Sequence, residues 1–374
     1  MNRVTLQTIA DHLGVSRMTV SNAFSRPDQL SSELRRRILA AADQLGYPGP
    51  DPTARALVRG STGAVGVLST DPFRFAFSDD VAARFIGAVA EEIEPTGLAL
   101  TLFTAAEVAG VAPARDVAID GAIVYSSDAG SPAVGWLRRR RLPLVFVDQP
   151  PEPGIACVNI DDRGGARASA RHLLDLGHRC IALVTPAAPH PGPSPGPGVG
   201  ADGDGAGGDG AGGAAVPIPF PAAERLDGWM DELGPAGADV RLVFQQHPPD
   251  HGSPAIRREL LASRPPTAVL CYSDAIALLV VREAAALGLH VPRDVSVVGF
   301  DHSPLMQHLG YSLTTVHQDI AGKGRVAAAT LLDAIGAYRS DARRPDARLS
   351  RGPAQVRPPA ELLVGASTAP PPAS

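Results

Sequence analysis

The chain has 374 residues, 44% hydrophobic and 20% charged, a composition of water-soluble domains in a chain too long for one ordinary core. No apolar run reaches the roughly 18 residues of a membrane helix, and MNRVTLQTIADHLG lacks the apolar stretch of a signal peptide, so no membrane partner and a cytoplasmic location are expected. The charge is uneven: residues 1–60 carry eight arginines against five acids, a net +3, leaving −8 for the remainder of a chain whose total is −5. A basic head on an acidic body suits a local polyanion contact and excludes uniform nucleic-acid affinity.

In the head, Thr5 precedes apolar residues at Leu6, Ile9, Ala10 and Leu13, which is helical spacing behind a hydroxyl cap. Gly14 ends that helix, and the small Ala10 and Gly14 are read as a close helix crossing. Ser16 caps a second helix, residues 17–24, with Val20, Ala23 and Phe24 inward. Pro27 and Asp28 break the chain, and Ser31 opens a third helix through Ile38, Leu39, Ala42 and Leu45, stopped by Gly46. Three short helices with a tight turn between the first two make a helix-turn-helix. The second helix is then the reader, presenting Arg17, Met18 and Asn22 outward. Arg bonds guanine bidentately, Asn does the same with adenine, and Met contacts a thymine methyl. Thr5, Ser16, Thr19, Ser21 and Ser31 suit phosphate contacts.

Residues 47–60, YPGPDPTARALVRG, carry three prolines; residues 52–57 have room for only a turn or two of helix, too short to stand alone. Leu57 there is a candidate wedge between minor-groove base steps, or else a residue resting on the next domain.

The body alternates strand-like and helical runs. Strands are expected at 63–70, 98–103, 121–127, 142–149, 179–185, 267–273 and 295–301, with helices at 80–94, 166–177 and 274–288. This βαβ rhythm implies parallel sheets, whose ligands sit beyond the carboxyl ends of the strands. Ser69–Asp71, Ser126–Asp128, Asp148, Ser273 and Asp301 fall at such ends and describe a cleft for a small polar molecule. Asp274 reads as a helix cap, and His172 and His178 as packing or capping groups around a helix end.

Residues 186–221 are a low-complexity stretch of Gly, Pro and Asp, expected to be disordered. Its G-x-G-x-x-G match, Gly203 to Gly208, follows no strand-to-helix turn and carries no meaning. The tail VGASTAPPPAS has no heptads and is expected to be disordered over 366–374. Cys157, Cys180 and Cys271 are scattered in apolar runs, read as buried free thiols, and lack the spacing of a metal site. There is no G-x-S-x-G, H-E-x-x-H or genuine phosphate loop, so neither an enzyme nor a cofactor is expected.

Head and body together resemble the LacI/GalR family of transcriptional regulators. The resemblance rests on VTLQTIADHLGVSRMTVSNAFSRP, LAAADQLGYPGPDPTARAL, ASARHLLDLGHRCIALV, AERLDGW, LCYSDAIAL, VPRDVSVVGFDHSPL and SLTTVHQDI, in the family's order. It implies an all-α helix-turn-helix domain (1–47), a hinge (48–61) and an α/β periplasmic-binding-protein-like core (62–368) with two doubly wound parallel sheets. One subdomain is expected over about 62–158 and 291–318, the other over about 159–290 and 319–368. The resemblance puts Arg17, Met18 and Asn22 on base-reading positions and Ala54 and Leu57 on hinge contacts. It puts Ser126, Asp148, Arg225, Ser273, Phe300, Asp301 and Gln318 on the effector cleft. Position 22 is Arg in better-known members, so their half-site does not carry over. Where the family has N-P-F-F, this chain has Ser78-Asp79-Asp80-Val81; Asp80 is expected either to bond a sugar hydroxyl or to cap the helix. The implied function is a homodimeric repressor, released from a palindromic double-stranded DNA operator by a small-molecule effector, a sugar or derivative. The alternatives are a corepressor-dependent regulator binding a purine or nucleoside, and a solute-binding protein.

Overall fold

The computed structural model describes residues 4–51, 56–57, 60–69, 73–107, 110–127, 130–186, 218–245, 252–304, 306, 312–343 and 355–372. The chain forms two compact units, Met1–Ala64 with Ala118–Asp120, and Val65–Val117 with Gly121–Ser374.

In the first unit, helix α1 (Leu6–Leu13) opens on a capping box: Thr8 N–H donates to Thr5 Oγ1 at 3.3 Å, and Thr5 N–H to Thr8 Oγ1 at 3.2 Å. Ser16 caps α2 (Arg17–Ser25) and Ser31 caps α3 (Ser32–Gln44), each accepting an N–H three residues on. Gly14 has φ 67°, yet a Cβ placed there meets nothing within 4 Å. Its glycine therefore answers to backbone handedness and not to the close crossing expected of it; Ala10, 1% exposed, is the packed member of the pair. Ile9, Val20 and Ile38 are wholly buried with Ala23, Ala41 and Ala42, each large side chain worth about 2 kcal/mol. Phe24 meets Tyr47 edge-on at 5.8 Å.

Ala56 and Leu57 are helical, and Ser61 N–H donates to the Ala56 carbonyl at 3.2 Å; residues 52–55 and 58–59, Ala54 among them, lie outside the described residues. Leu57 is 85% exposed.

The second unit has two lobes, each a six-stranded sheet. The first comprises β1 (Ala64–Ser69), β2 (Ala99–Thr104), β3 (Ala122–Tyr125), β4 (Leu144–Val147), β5 (Ala156–Val158) and β11 (Gln355–Val356), in the order β11-β5-β4-β3-β1-β2. The second comprises β6 (Cys180–Thr185), β7 (Asp239–Phe244), β8 (Ala268–Cys271), β9 (Ser296–Asp301), β10 (Thr314–His317) and β12 (Glu361–Leu363), in the order β12-β10-β9-β8-β6-β7. The two sheets repeat one strand order and differ at the edge, where β11 runs parallel to β5 and β12 antiparallel to β10. The pairings of β1 with β3 and of β8 with β9 are parallel, while β10 with β12 is antiparallel. Buried runs such as the four residues of β3 and of β4 carry no polar alternation, as strands covered on both faces require.

Helices cover the sheets: α4 (Phe73–Ser78), α5 (Asp80–Ile93), α6 (Pro113–Asp116), α7 (Pro132–Arg139), α8 (Asp162–Asp175), α9 (Phe220–Leu233), α10 (Pro254–Leu260), α11 (Asp274–Ala286) and α12 (Ile320–Arg343). Two pairs pack through glycine. A Cβ at Gly228 of α9 would stand 2.4 Å from the Arg163 carbonyl on α8, and one at Gly324 of α12 would stand 2.8 Å from the Phe85 carbonyl on α5.

Four expectations are corrected here. Residues 291–318 belong to the second lobe, because β9 pairs with β8 and β10 with β9, Thr314 opposite Val298. The chain crosses back only after β10: Ile320, Ala327, Leu331 and Ile335 of α12 share a core with Phe85, Val89 and Val145 of the first lobe. It crosses a third time between β11 and β12, where Ile160, Phe300 and Val316 pack with Ala360 and Leu362. The stretch expected disordered over 186–221 contains structure at its end, since Pro221 sits in the first turn of α9, where its fixed φ favours a helix start; residues 187–217 lie outside the described residues. The tail expected disordered over 366–374 is docked as far as it is described. Buried amides need acceptors, and Val297 N–H donates to the Ser367 carbonyl at 2.9 Å while Thr314 N–H donates to Ser367 Oγ at 2.8 Å. His172 Nε2 lies 3.0 Å from Thr368 Oγ1 and His178 Nε2 2.8 Å from the Ala369 carbonyl, so the two histidines hold this tail. Finally, Asp274 is not the cap of α11; Ser273 is, while the Asp274 carboxylate accepts Ser303 N–H at 2.7 Å and Thr315 Oγ1–H at 2.6 Å.

Candidate DNA-reading helix and effector cleft

Each unit presents one candidate site. In the first, Arg17 and Met18 stand on the exposed side of α2, Met18 at 71% exposure, an unusual place for a large apolar side chain unless it contacts something. Asn22 lies one turn further on, half-buried, its amide donating to Gln29 Oε1 at 3.2 Å. Asn22 is thus held by Gln29 and not simply outward-facing. Thr5, Ser16 and Ser31 occupy three helix N-termini, Ser16 Oγ lies 2.8 Å from Thr19 Oγ1, and Ser21 is half-buried on α2. Helix N-termini ringed by hydroxyls match the positive dipole end that phosphates seek.

In the second unit a cavity of about 100 Å³ opens between the carboxyl ends of the two sheets. It is lined by Ser126, Asp148, Arg225, Ser273, Asp301 and Gln318, six of the eight positions expected there, together with Ser69, Asp79, Tyr125, Pro221, Tyr272 and Lys323. Three of these polar residues hold strained backbone: Ser126 at φ 46°, Asp148 at 56° and Asp301 at 109°. Non-glycine residues in this region cost of the order of 1 to 3 kcal/mol and gather at ligand sites.

Two expected residues lie elsewhere. Phe300 is off the wall, its ring centroid 3.6 Å from the Arg225 guanidinium carbon, so it supports the cation from behind. Asp80 is the exposed first residue of α5 and neither caps it nor reaches the cavity; Asp79 does both, accepting Ala82 N–H at 2.8 Å.

The cleft floor is one chain of buried ionic contacts. Lys323 Nζ donates to Asp148 Oδ2 at 2.8 Å and Oδ1 at 3.1 Å, and to Gln318 Oε1 at 3.3 Å. Gln318 Nε2 donates to Asp301 Oδ1 at 2.6 Å. Arg225 Nη1 stands 3.5 Å from Asp301 Oδ1 and donates to the Tyr272 carbonyl, and Nε donates to Asp162 Oδ1 at 2.7 Å. Asp148, Asp162, Arg225, Asp301, Gln318 and Lys323 are each at most 7% exposed. Burial pushes the Asp162 carboxyl up to about 6 against the pull of Arg225, and it raises Asp301 well above the usual carboxylate range. Burial alone would lower the Arg225 guanidinium, but Asp162 and Asp301 hold it above its ordinary value. Perturbed groups gathered in a cleft are the signature of a functional site. Lys323 and Asp162 escaped sequence reasoning. The available signal was a lysine within the apolar stripe Ile320, Ala327, Leu331, a spacing that aims it at the core. Among the described residues no cluster of three His, Cys, Asp or Glu is placed to hold a metal, and no helix is long and apolar enough to cross a membrane.

A helix-turn-helix unit followed by a two-lobed binding core is the architecture of ligand-responsive DNA-binding regulators. Residues 5–49 match the bacterial regulatory proteins of the lacI family, and residues 217–368 match a periplasmic binding protein-like domain. An HTH-type transcriptional regulator of Mycobacterium tuberculosis is 38% identical over 339 residues, covering 88% of this chain and 90% of that protein. One from Mycolicibacterium smegmatis is 37% identical over 338 residues, covering 86% and 88%. More distant relatives are a regulator named CelR of Thermobifida fusca, 30% identical with 89% and 92% covered, and a repressor named PurR of Yersinia pestis, 28% identical with 90% and 92% covered. A LacI-family regulator from Corynebacterium glutamicum has a solved structure that superposes with TM-score 0.63 at 29% identity, covering 99% and 100%. The lac repressor dimer bound to operator superposes with TM-score 0.71 at 21% identity, covering 98% and 100%, a likeness of fold. The chain belongs to the LacI family of bacterial regulatory proteins. It is a DNA-binding transcriptional regulator and not an enzyme.

Proposed function

We propose that this chain is a homodimeric repressor that reads a pseudo-palindromic operator and is released from it by a sugar-like effector in the cleft. The observation that carries the reading is the cleft itself: hydroxyls and carboxylates from the strand ends of both lobes converge on one cavity, the arrangement that accepts and orients ligand hydroxyls. The aromatic rings on its wall are otherwise engaged. Tyr125 is stacked on Phe85 at 4.4 Å and Tyr272 packs over Arg225 at 4.5 Å, which favours a polyhydroxylated ligand over a stacked purine. Arg17, Met18 and Asn22 are assigned to base edges, the capped hydroxyls to phosphates, and Leu57 to the minor groove between half-sites. Two copies would place their α2 helices in successive major grooves. The effector would shift the balance between two lobe arrangements, and so the DNA affinity, by its preference for one of them.

The test is selection of bound duplexes from a random DNA pool by the purified chain, at stated salt. An enriched palindrome is expected, lost on addition of a sugar that also raises the melting temperature. A palindrome strengthened by purines, with sugars inert, would replace the induced repressor by the corepressor-dependent alternative. No enrichment under either condition would refute the operator reading.

A further inference from the structure

The carboxyl end of the hinge meets one acid. Asp120 Oδ2 accepts from Ser61 Oγ–H at 2.9 Å and from Gly63 N–H at 3.0 Å, and Asp120 Oδ1 accepts from Thr62 N–H at 2.7 Å. Three consecutive residues thus give a donor each to a single carboxylate. Hydrogen bonds to a charged acceptor are roughly twice as strong as neutral ones. Burial by itself would raise the Asp120 carboxyl, but the bonds from Thr62, Ser61 and Gly63 hold it below its ordinary value.

Backbone geometry explains why the donors converge. Gly60 and Gly63 have φ 67° and 77°, left-handed values that suit glycine, and a Cβ at either would meet nothing within 4 Å. The reversals they allow turn the amides of Thr62 and Gly63 toward the same anion, as successive N–H groups do in a backbone nest. Ser61 is engaged twice. Its backbone N–H donates to the Ala56 carbonyl at 3.2 Å, five residues back, with Gly60 left-handed before it, which is how a helix end satisfies its last carbonyls. The same residue closes the hinge turn with its amide and grips Asp120 with its hydroxyl. Asp120 is itself held in the strand ladder: its N–H donates to the Ala64 carbonyl at 2.8 Å, and the carbonyl of Gly121 accepts Gly66 N–H at 2.9 Å. Residues 118–120 lead directly into β3, yet they belong to the compact unit formed by residues 1–64.

We propose that Asp120 is a positioning residue for DNA binding, fixing the carboxyl end of the hinge so that the turn carrying Leu57 is held ready for the operator. The inference rests on the assignment of the hinge to DNA. A helical turn this short does not stand alone, and anchoring its end in advance lowers the ordering entropy that binding must overcome.

The experiment uses the full chain, as wild type, Asp120→Ala, the isosteric Asp120→Asn, Ser61→Ala, and Asp120→Ala with Ser61→Ala. The first readout needs no DNA. Arg55 and Arg59 are the tryptic sites between residues 38 and 73, and cutting after Arg59 requires Gly60, Ser61 and Thr62 to enter the protease extended. Releasing them from Asp120 should therefore raise the rate at Arg59 relative to Arg55 by at least about fivefold in Asp120→Ala, since cleavage follows the population of the opened segment. The second readout is affinity for the duplex enriched from the random pool, beside a duplex of unrelated sequence. Operator affinity should fall by about tenfold in Asp120→Ala, which is the loss of roughly one charged hydrogen bond's worth of net stabilisation, and by less in Asp120→Asn, while affinity for the unrelated duplex is unchanged. The double variant should be no worse than Asp120→Ala, because Ser61 Oγ acts through the same carboxylate.

An unchanged cleavage ratio overturns the proposal. So does a parallel fall in both DNA affinities, which would mark damage to the head, or additive losses in the double variant. Asp120→Asn keeps the test decisive should the alanine variant fail to fold. An operator lost in Arg17→Ala but bound undiminished by Asp120→Ala overturns this joint and leaves the operator reading intact. Failure of wild type to select any operator refutes that reading and removes the DNA role of Asp120 with it.

Discussion

Replacing Lys323 by Met tests whether the cleft floor is as tightly coupled as its geometry states. Lys323 and Asp148 are 2% and 7% exposed, and Nζ stands 2.8 Å from Oδ2. At an effective dielectric near 20 that separation corresponds to roughly 6 kcal/mol of gross attraction, much of it offset by the desolvation of two charges. Removing one partner leaves the other buried and unmatched, and such deletions cost about 3 to 5 kcal/mol. Removing both, in Lys323→Met with Asp148→Leu, should restore most of that loss, because an apolar pair of similar volume is roughly neutral against a buried ion pair. The assay is urea unfolding followed by tryptophan fluorescence. The chain has two tryptophans, Trp136 in the first lobe and Trp229 in the second. A Trp229→Phe background isolates the lobe that holds the pair. If the single variant lost less than about 1 kcal/mol, or the double variant were no more stable than the single, the pair would not be the coupled, water-excluded contact described here.

Arg17→Ala should abolish operator selection and leave the melting shift given by a cleft ligand unchanged; loss of both would refute the separation of roles. Truncation after residue 364 should lower the stability of the second lobe by at least about 3 kcal/mol, at about 1 kcal/mol for each of three of the lost bonds, Val297 N–H to the Ser367 carbonyl, Thr314 N–H to Ser367 Oγ and His178 to the Ala369 carbonyl, as read by Trp229 fluorescence. Gly324→Ala drives a Cβ to 2.8 Å from the Phe85 carbonyl, so α12 must shift against α5, at a cost of about 1 to 3 kcal/mol in denaturant midpoint. The Asp162 carboxyl is raised by burial from 3.8 to about 6, so the folded chain binds that proton more tightly than the unfolded chain. Its stabilising contribution is therefore complete below about pH 4 and lost as pH rises through 6. Wild type should lose about 2 to 3 kcal/mol relative to Asp162→Asn between pH 4 and 7, and parallel pH–stability curves for the two proteins would contradict this.

Much of the head was determined by local sequence. Thr5, Ser16 and Ser31 cap the helices they were expected to cap, because capping is settled within three residues by a hydroxyl and an amide. Long parallel strands were equally legible: the runs at 63–70, 179–185 and 295–301 became β1, β6 and β9 within a residue at each end. A strand buried on both faces must be apolar throughout, and composition alone records that.

What the sequence left open depends on partners distant in the chain. Strand β5 has three residues and pairs with β11, some two hundred positions later, so neither shows its own periodicity. The crossing points of the lobes were misplaced because α12 carries nothing local that says which sheet it covers; its packing against Phe85 and Val145 decides that. The tail reads as loose, Pro-rich chain, and only the unmet amides of Val297 and Thr314 give it a place. The cleft divides in the same way. Asp148, Ser273 and Asp301 were visible because strand ends are visible. Lys323 was not, because a lysine on a helix is ordinarily a solvated charge, and it becomes a buried one only when folding brings Asp148, 175 residues away, within 2.8 Å.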